Sequence, residues 1–260
     1  MPRPNRKRFG QHFLIDDIVV ARLLHLLRPT NAQHIIEIGP GFGVLSTPIL
    51  DRGCHLTAIE IDRQLAQHLS QSLSLVERFK LIQQDILTVN LMELVPAGQR
   101  VRVIGNLPYN ISTPLLFHML DQRSLIEDMH FMLQSEFVDR LVASAGSKLY
   151  GRLSVSMQLH CRCERLFYVE PDSFEPAPRV RSAVVRIVPL QEPTNFIADQ
   201  TLFHDLVRDA FSQRRKTLKN SLGNRVRKSH FSQANIDPGR RAETLSVGEF
   251  AALANTISQQ

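Results

Sequence analysis

The feature that most limits how this chain folds is a regular alternation of short apolar runs with helical patterns over its first two-thirds. His34–Ile38, His55–Glu60, Phe79–Gln84, Val101–Asn106 and Met129–Gln134 are runs of strand length. Leu45–Arg52, Arg63–Leu75, Pro114–Asp121 and Glu136–Ala143 carry helical spacing between or after them. Parallel strands need a crossover segment and a helix supplies one, so this alternation predicts an α/β fold with helices on both faces of a parallel sheet. Arg165–Val169 and Ala183–Val188 flank a proline-rich turn from Pro171 to Pro178 and are expected to close the sheet as an antiparallel pair. From Thr201 onward the strand signal disappears. Val207, Phe211, Leu218 and Leu222 fall at helical intervals and make one apolar stripe. The expected division is 1–190 for the sheet domain, with a basic arm at 1–10, and 191–260 for a small helical domain.

Composition narrows the class. An apolar fraction of 43% over 260 residues suffices for a real core. The formal charge of +6 favours a polyanionic partner. Cys54, Cys161 and Cys163 are odd in number and lack the spacing of a zinc or redox motif, so reduced thiols and no metal are expected. No run reaches membrane-spanning length, and Asp16 and Asp17 interrupt the only apolar stretch near the start. The expectation is a cytoplasmic protein with no membrane partner.

Chemistry first shows at Glu37-Ile-Gly39-Pro-Gly41-Phe-Gly43, between a strand and a helix. Glycines there let the backbone turn sharply and approach a ligand. Glu60 ends the next strand about 20 residues further on, where a carboxylate accepts hydrogen bonds from a ribose diol. Gly-x-Gly-x-Gly with a glutamate two residues ahead fits a nucleoside cofactor without a pyrophosphate better than the dinucleotide pattern. Asp85 follows the third strand. It is placed either to accept from an adenine amine or to cap the segment starting at Ile86.

The most informative motif is Asn106-Leu107-Pro108-Tyr109, at the end of the fourth strand. Pro108 restricts itself and Leu107, so the turn is stiff. A stiff turn can aim the Asn106 side-chain oxygen and the Leu107 carbonyl at one point. An exocyclic adenine amine has two N–H donors to match, and Tyr109 offers a ring for stacking the base. The amine lone pair is delocalised into the ring. Two acceptors favour a more tetrahedral nitrogen and expose that lone pair to an electrophilic methyl group, so positioning carries most of the catalysis.

Taken in order, Gln11-His12-Phe13-Leu14, the glycine loop, Glu60, Asp85, Asn106-Leu-Pro-Tyr-Asn110, Asp139-Arg140-Leu141, Gly151-Arg-Leu-Ser-Val155, Phe174-Glu-Pro-Ala-Pro-Arg-Val-Arg-Ser182 and Ala210-Phe-Ser-Gln-Arg-Arg-Lys-Thr-Leu218 resemble the ribosomal RNA adenine dimethyltransferases. The resemblance runs nearly end to end and is greatest to their bacterial small-subunit branch. It implies a Rossmann-like class I methyltransferase sheet with a small C-terminal helical domain. It also implies S-adenosyl-L-methionine as cofactor, with contacts from His12, Leu14, Gly39, Glu60, Asp85 and Asn106; Glu37 and Gly41 join them as parts of the glycine motif. Asn106, Leu107, Pro108 and Tyr109 become the catalytic turn, with Phe174 as a second aromatic wall or, alternatively, a core residue. The family usually has asparagine where this chain has His12, which leaves either its ring or its backbone as the contact.

The implied reaction is N6,N6-dimethylation of two adjacent adenosines near the 3′ end of 16S rRNA, within an immature small ribosomal subunit, by a monomer. Arg6, Lys7 and Arg8 before the cofactor motif, and Arg214, Arg215 and Lys216 on an expected tail helix, are either solvated faces or sequence-independent phosphate ligands. Three rival readings stand beside this one. They are a DNA adenine methyltransferase, whose second turn residue is normally proline where this chain has Leu107; a large-subunit rRNA adenine methyltransferase; and an assembly factor that keeps the fold without turnover.

Overall fold

The computed structural model describes residues 11–259. In chain order the elements are β1 (Phe13–Leu14), α1 (Asp17–Leu27), β2 (His34–Ile38), α2 (Ser46–Leu50), β3 (His55–Glu60), α3 (Arg63–Ser72), β4 (Phe79–Gln83), β5 (Val101–Asn106) and α4 (Ser112–Asp121). There follow β6 (Ile126–Gln134), α5 (Ser135–Leu141), α6 (Arg152–His160), β7 (Cys161–Val169), β8 (Phe174–Glu175), β9 (Ser182–Pro189), α7 (Gln200–Phe211), α8 (Leu218–Leu222), α9 (Lys228–Gln233) and α10 (Val247–Ser258). Seven strands form one sheet in the order β4-β3-β2-β5-β6-β9-β7. The first five are parallel to their neighbours, and β9 runs antiparallel to β6. The chain winds outward from β2 to β4, then returns to β5 on the other side of β2. The carboxyl ends of β2 and β5 therefore flank the switch point, where ligands of open α/β sheets bind.

β2, β3 and β5 have the bounds expected from their apolar runs. β6 starts earlier than Met129 because Asp128, which reads as a break in the run, is buried by pairing with Arg102 Nε at 2.8 Å and Arg186 Nη2 at 3.0 Å. β7 and β9 do close the sheet, with β9 inserted between β6 and β7. β1 is a two-residue strand that the sequence pattern does not announce. It pairs antiparallel with β8, Leu14 opposite Phe174. Asp16 caps α1 by accepting from Ile18 N at 2.9 Å, and its other oxygen accepts from Ser173 Oγ at 2.8 Å. These contacts hold the segment that carries His12 and Leu14.

Packing divides the chain into two compact units, and not by a single cut near 190. One unit is the chain up to Val138 together with Glu164–Pro189; the other is Asp139–Cys163 together with the chain from Leu190 onward. The segment around α6 belongs to the second unit because Tyr150, Val155 and Leu159 share one buried cluster with Phe203, Leu206 and Phe250. In that unit the stripe from Val207 to Leu222 is not one helix. α7 ends at Phe211 and α8 begins at Leu218. Arg214, Arg215 and Lys216 thus lie in a turn, not on a helix. Among the described residues no helix is long and apolar enough to cross a membrane.

Candidate active site

A cavity of about 450 Å³ opens at the carboxyl ends of β2, β3 and β5, within the first unit. Its floor is the glycine loop. Gly39 and Gly41 have φ of +64° and +60°, a left-handed conformation that side chains disfavour. A β-carbon on Gly41 would also stand 3.2 Å from the Phe13 ring. The loop is tied to β3 at two points. Gly39 N donates to Ile59 O at 2.9 Å, and Gly41 N donates to Glu60 Oε2 at 3.2 Å. Glu60 Oε1 accepts from Asp62 N at 2.9 Å. Glu60 is thereby fixed at the cavity wall although only 3% exposed. Each of its oxygens has a second lone pair for a further donor.

Glu37 also lines the cavity and is 1% exposed. Ser46 Oγ donates to its Oε2 at 2.6 Å, which joins the end of β2 to the start of α2. Burial pushes its carboxyl up to about 7; the Ser46 bond opposes this, and the Glu60 carboxylate adds to it. Burial raises Glu60 as well, against the backbone N–H groups of Asp62, Gly41 and Ile61. Asp85 has the capping role and also lies at the cavity. Its Oδ1 caps the short turn after it by accepting from Leu87 N at 3.0 Å, and its residue borders the cavity.

The opposite wall is the Asn106–Tyr109 turn. Asn106 Nδ2 donates to the His12 carbonyl at 2.8 Å. A carbonyl can only accept, so the amide orientation is fixed and Asn106 Oδ1 is the atom left as acceptor. Leu107 N donates to Met132 O at 3.1 Å, which anchors the turn to β6. Pro108 has φ −59°, ψ 135°, the extended conformation its ring favours. Tyr109 is held at two places. Its hydroxyl lies 3.0 Å from Ser182 Oγ, and its ring stacks with the His12 imidazole at 5.9 Å between centroids and 29° between planes. Burial raises the phenol above its ordinary value, while the Ser182 bond lowers it.

Both the backbone and the ring of His12 are engaged within the protein. Its backbone carbonyl orients Asn106, and its ring Nδ1 lies 2.6 Å from Pro176 O. That oxygen only accepts, so Nδ1 carries the proton and Nε2 is the acceptor of the neutral ring.

His12, Leu14, Glu37, Gly39, Gly41, Glu60, Asp85, Asn106, Leu107, Pro108 and Tyr109 all border this one cavity. Phe174 does not. It is 3% exposed and packs with Leu14, Phe167 and Val184 in the core beneath, because its pairing with Leu14 across β1–β8 turns it inward. Arg214, Arg215 and Lys216 lie in the second unit, and Arg6, Lys7 and Arg8 fall outside the described residues. Arg214 spends its guanidinium on its own unit, donating to Lys148 O at 2.7 Å and Tyr150 O at 3.0 Å.

Sequence reasoning missed several contributors. Phe13 and Ile61 supply apolar wall. Gly105 lets β5 close on β2, since a β-carbon there would stand 2.6 Å from Ile38 O. The glycine directly before Asn106 was its visible signal.

A mostly apolar slot with a carboxylate on β3, an acidic cap after β4 and a close-approach glycine loop suits a nucleoside-bearing ligand without a pyrophosphate. With the strand order, it defines a class I S-adenosylmethionine-dependent methyltransferase. The chain belongs to the ribosomal RNA adenine dimethylase family, whose sequence profile matches residues 3–259. A relative from Xylella fastidiosa, "Ribosomal RNA small subunit methyltransferase A", is 49% identical over 97% of this chain and 96% of its own length. A protein of the same description from Chromohalobacter salexigens is 47% identical over 98% and 92%. The fold is shared with a dimethyladenosine transferase from Plasmodium falciparum (TM-score 0.79, 22% identity, 95% of this chain and 98% of that one).

Proposed function

We propose that this chain transfers methyl groups to the N6 amines of two adjacent adenosines near the 3′ end of 16S rRNA, in an immature small ribosomal subunit. The observation that carries the reading is the orientation of Asn106. With Nδ2 committed to the His12 carbonyl, Oδ1 is the acceptor for one N–H of an adenine amine, and the Leu107 carbonyl suits the other.

S-adenosylmethionine, when bound, supplies an electrophilic methyl group on a sulfonium. Glu60 is the residue to hold its ribose hydroxyls, and Asp85 with the Gly39–Gly41 backbone borders the rest. Asn106 and Leu107 draw the amine hydrogens toward themselves and leave the nitrogen lone pair directed away from the adenine plane. Pro108 keeps the two acceptors from separating. Tyr109, braced by Ser182 and His12, stacks the base. No strong base is needed beforehand: the amine would become acidic only as the C–N bond forms and the methyl–sulfur bond breaks. S-adenosylhomocysteine would leave as the neutral thioether, and the nitrogen proton would then pass to solvent. The target base must leave its stack to enter, which favours an unpaired or extruded adenosine.

The small-subunit substrate is supported by the names of the relatives at 49% and 47% identity. The test is incubation with labelled S-adenosylmethionine and undermethylated small subunits, followed by mapping of N6-methylated adenosines. Label in two neighbouring adenosines near the 3′ end of 16S rRNA is expected. Label confined to large-subunit RNA, or binding without label, overturns the reading.

A further inference from the structure

We propose that Asp16 and Ser173 are positioning residues for methyl transfer, and that the bond between them latches residues 11–15 against the cavity. The inference rests on the methyl-transfer reading above and adds two residues that do not border the cavity themselves. Gln11, His12, Phe13, Leu14 and Ile15 all line it. Both sides of the site meet in this strap. The Phe13 ring lies beside Gly41 of the glycine loop and packs on Phe42 at 4.8 Å between centroids. One residue earlier, the His12 carbonyl orients Asn106 and the His12 ring stacks with Tyr109. A shift of the strap would therefore disturb the cofactor loop and the acceptor for the target amine together.

The main-chain hold on the strap is slight. β1 and β8 pair over two residues, and so short a strand pair is marginal by itself. Ile15 N adds one bond to Ser173 O at 2.9 Å, and His12 Nδ1 adds one to Pro176 O at 2.6 Å. Asp16 supplies the fixed end. Its Oδ1 accepts from Ile18 N and Val19 N at the start of α1, a helix anchored by the buried Val20, Leu23, Leu24 and Leu27. Its Oδ2 accepts from the hydroxyl of the buried Ser173 at 2.8 Å. A charged acceptor makes this bond stronger than a neutral one would. The Ser173 hydroxyl in turn holds the Asp16 carboxyl below its ordinary value.

The test is Ser173→Ala, which removes the hydroxyl and leaves the α1 cap in place. Three measurements read it: hydrogen exchange of the Ile15 amide in the cofactor-free protein, calorimetric S-adenosylmethionine affinity, and single-turnover methylation of undermethylated small subunits. Faster Ile15 exchange is expected. Cofactor affinity and the single-turnover rate at saturating cofactor should each fall about 2- to 10-fold, the value of one hydrogen bond. KM for the subunits should stay parent-like. Asp16→Asn keeps the capping oxygen and offers an amide hydrogen to Ser173 Oγ, so it should retain most of the parent's affinity. In an Asp16→Ala background, Ser173→Ala should add no further loss. Parent-like Ile15 exchange and cofactor affinity in Ser173→Ala overturn the latch and leave methylation of the subunit standing. Additive losses from Asp16→Ala and Ser173→Ala also overturn it. A parent that binds the cofactor but methylates no subunit RNA overturns the proposed function, and the positioning role falls with it.

Discussion

Two groups of buried carboxylates in the first unit are held in opposite ways. At the cavity, Glu37 and Glu60 are 1% and 3% exposed, and their hydrogen-bond donors are a hydroxyl and two backbone N–H groups. Glu37 consequently sits near 7. Deeper in the sheet, Asp128 is 1% exposed but is surrounded by Arg102, Arg186 and His130. Burial by itself would raise its carboxyl too, yet the His130 and Arg102 contacts hold it well below the usual carboxylate range. The difference separates a ligand site from a structural one. Carboxylates left without a cation stay available to a ligand's hydroxyl or amine donors, and the fold carries their desolvation. A carboxylate neutralised by two guanidiniums contributes to folding and has nothing left for a ligand.

The contrast is broken most directly at Asp128. Asp128→Ala leaves Arg102 buried without its partner, and a loss of about 3–5 kcal/mol is expected in denaturant unfolding. A loss as small as that of a surface substitution would show that the cluster is not structural. Asn106→Ala should keep the fold and lower single-turnover methyl transfer by about 10²–10³, the range for removing one oriented transition-state contact. Parent-like rates would move the pocket elsewhere.

Glu60→Gln should weaken cofactor binding roughly 10- to 100-fold, the value of hydrogen bonds to a charged acceptor. It should also disturb stability far less than Asp128→Ala does. Calorimetry and unfolding on one preparation read both, and equal stability losses would erase the distinction between the groups.

The pH dependence sharpens it further. The folded-state value of Glu37 is raised from about 4.5 to about 7, so the folded protein holds a proton that the unfolded chain has released. Its contribution is present below about pH 4.5 and is lost as pH rises to about 7. Stability of the parent relative to Glu37→Gln should fall across that window. Asp128 has the opposite sign, and its contribution is lost as pH falls through the acid range. A flat difference curve for Glu37 would mean that its burial carries no penalty.

The smallest effect is expected in the tail. Neutralising Arg215 and Lys216, both exposed, should lower the salt slope of subunit binding by about 1 each. Arg214→Ala should instead lower the stability of the second unit, because its guanidinium ties two carbonyls.

Much of the site was legible because it is local. Gly39, Glu60 and Asn106 each sit at the carboxyl end of a strand whose apolar run has visible bounds, and the parallel sheet brings those ends together whatever the loops do. Phe174 stayed open between an aromatic wall and a core residue for the opposite reason. Its side is set by β1, a partner about 160 residues away whose two-residue strand leaves no periodic trace. The break between Phe211 and Leu218 was equally hidden. No proline or glycine interrupts the stripe, and the turn forms because Leu218 N donates to Arg240 O at 2.8 Å and Lys219 N to Pro238 O at 3.1 Å.

By itself, then, the order of apolar runs determined the sheet and the ends from which the chemistry is built, since strand and helix periods are properties of neighbouring residues. Only the tertiary structure decided that His12 would orient Asn106 across 94 residues. It also decided that Gly105 would admit β5 against Ile38, and that Asp128 would belong inside a strand. Each of these depends on a partner distant in the chain, and a residue's own neighbourhood carries no record of the group that will satisfy it.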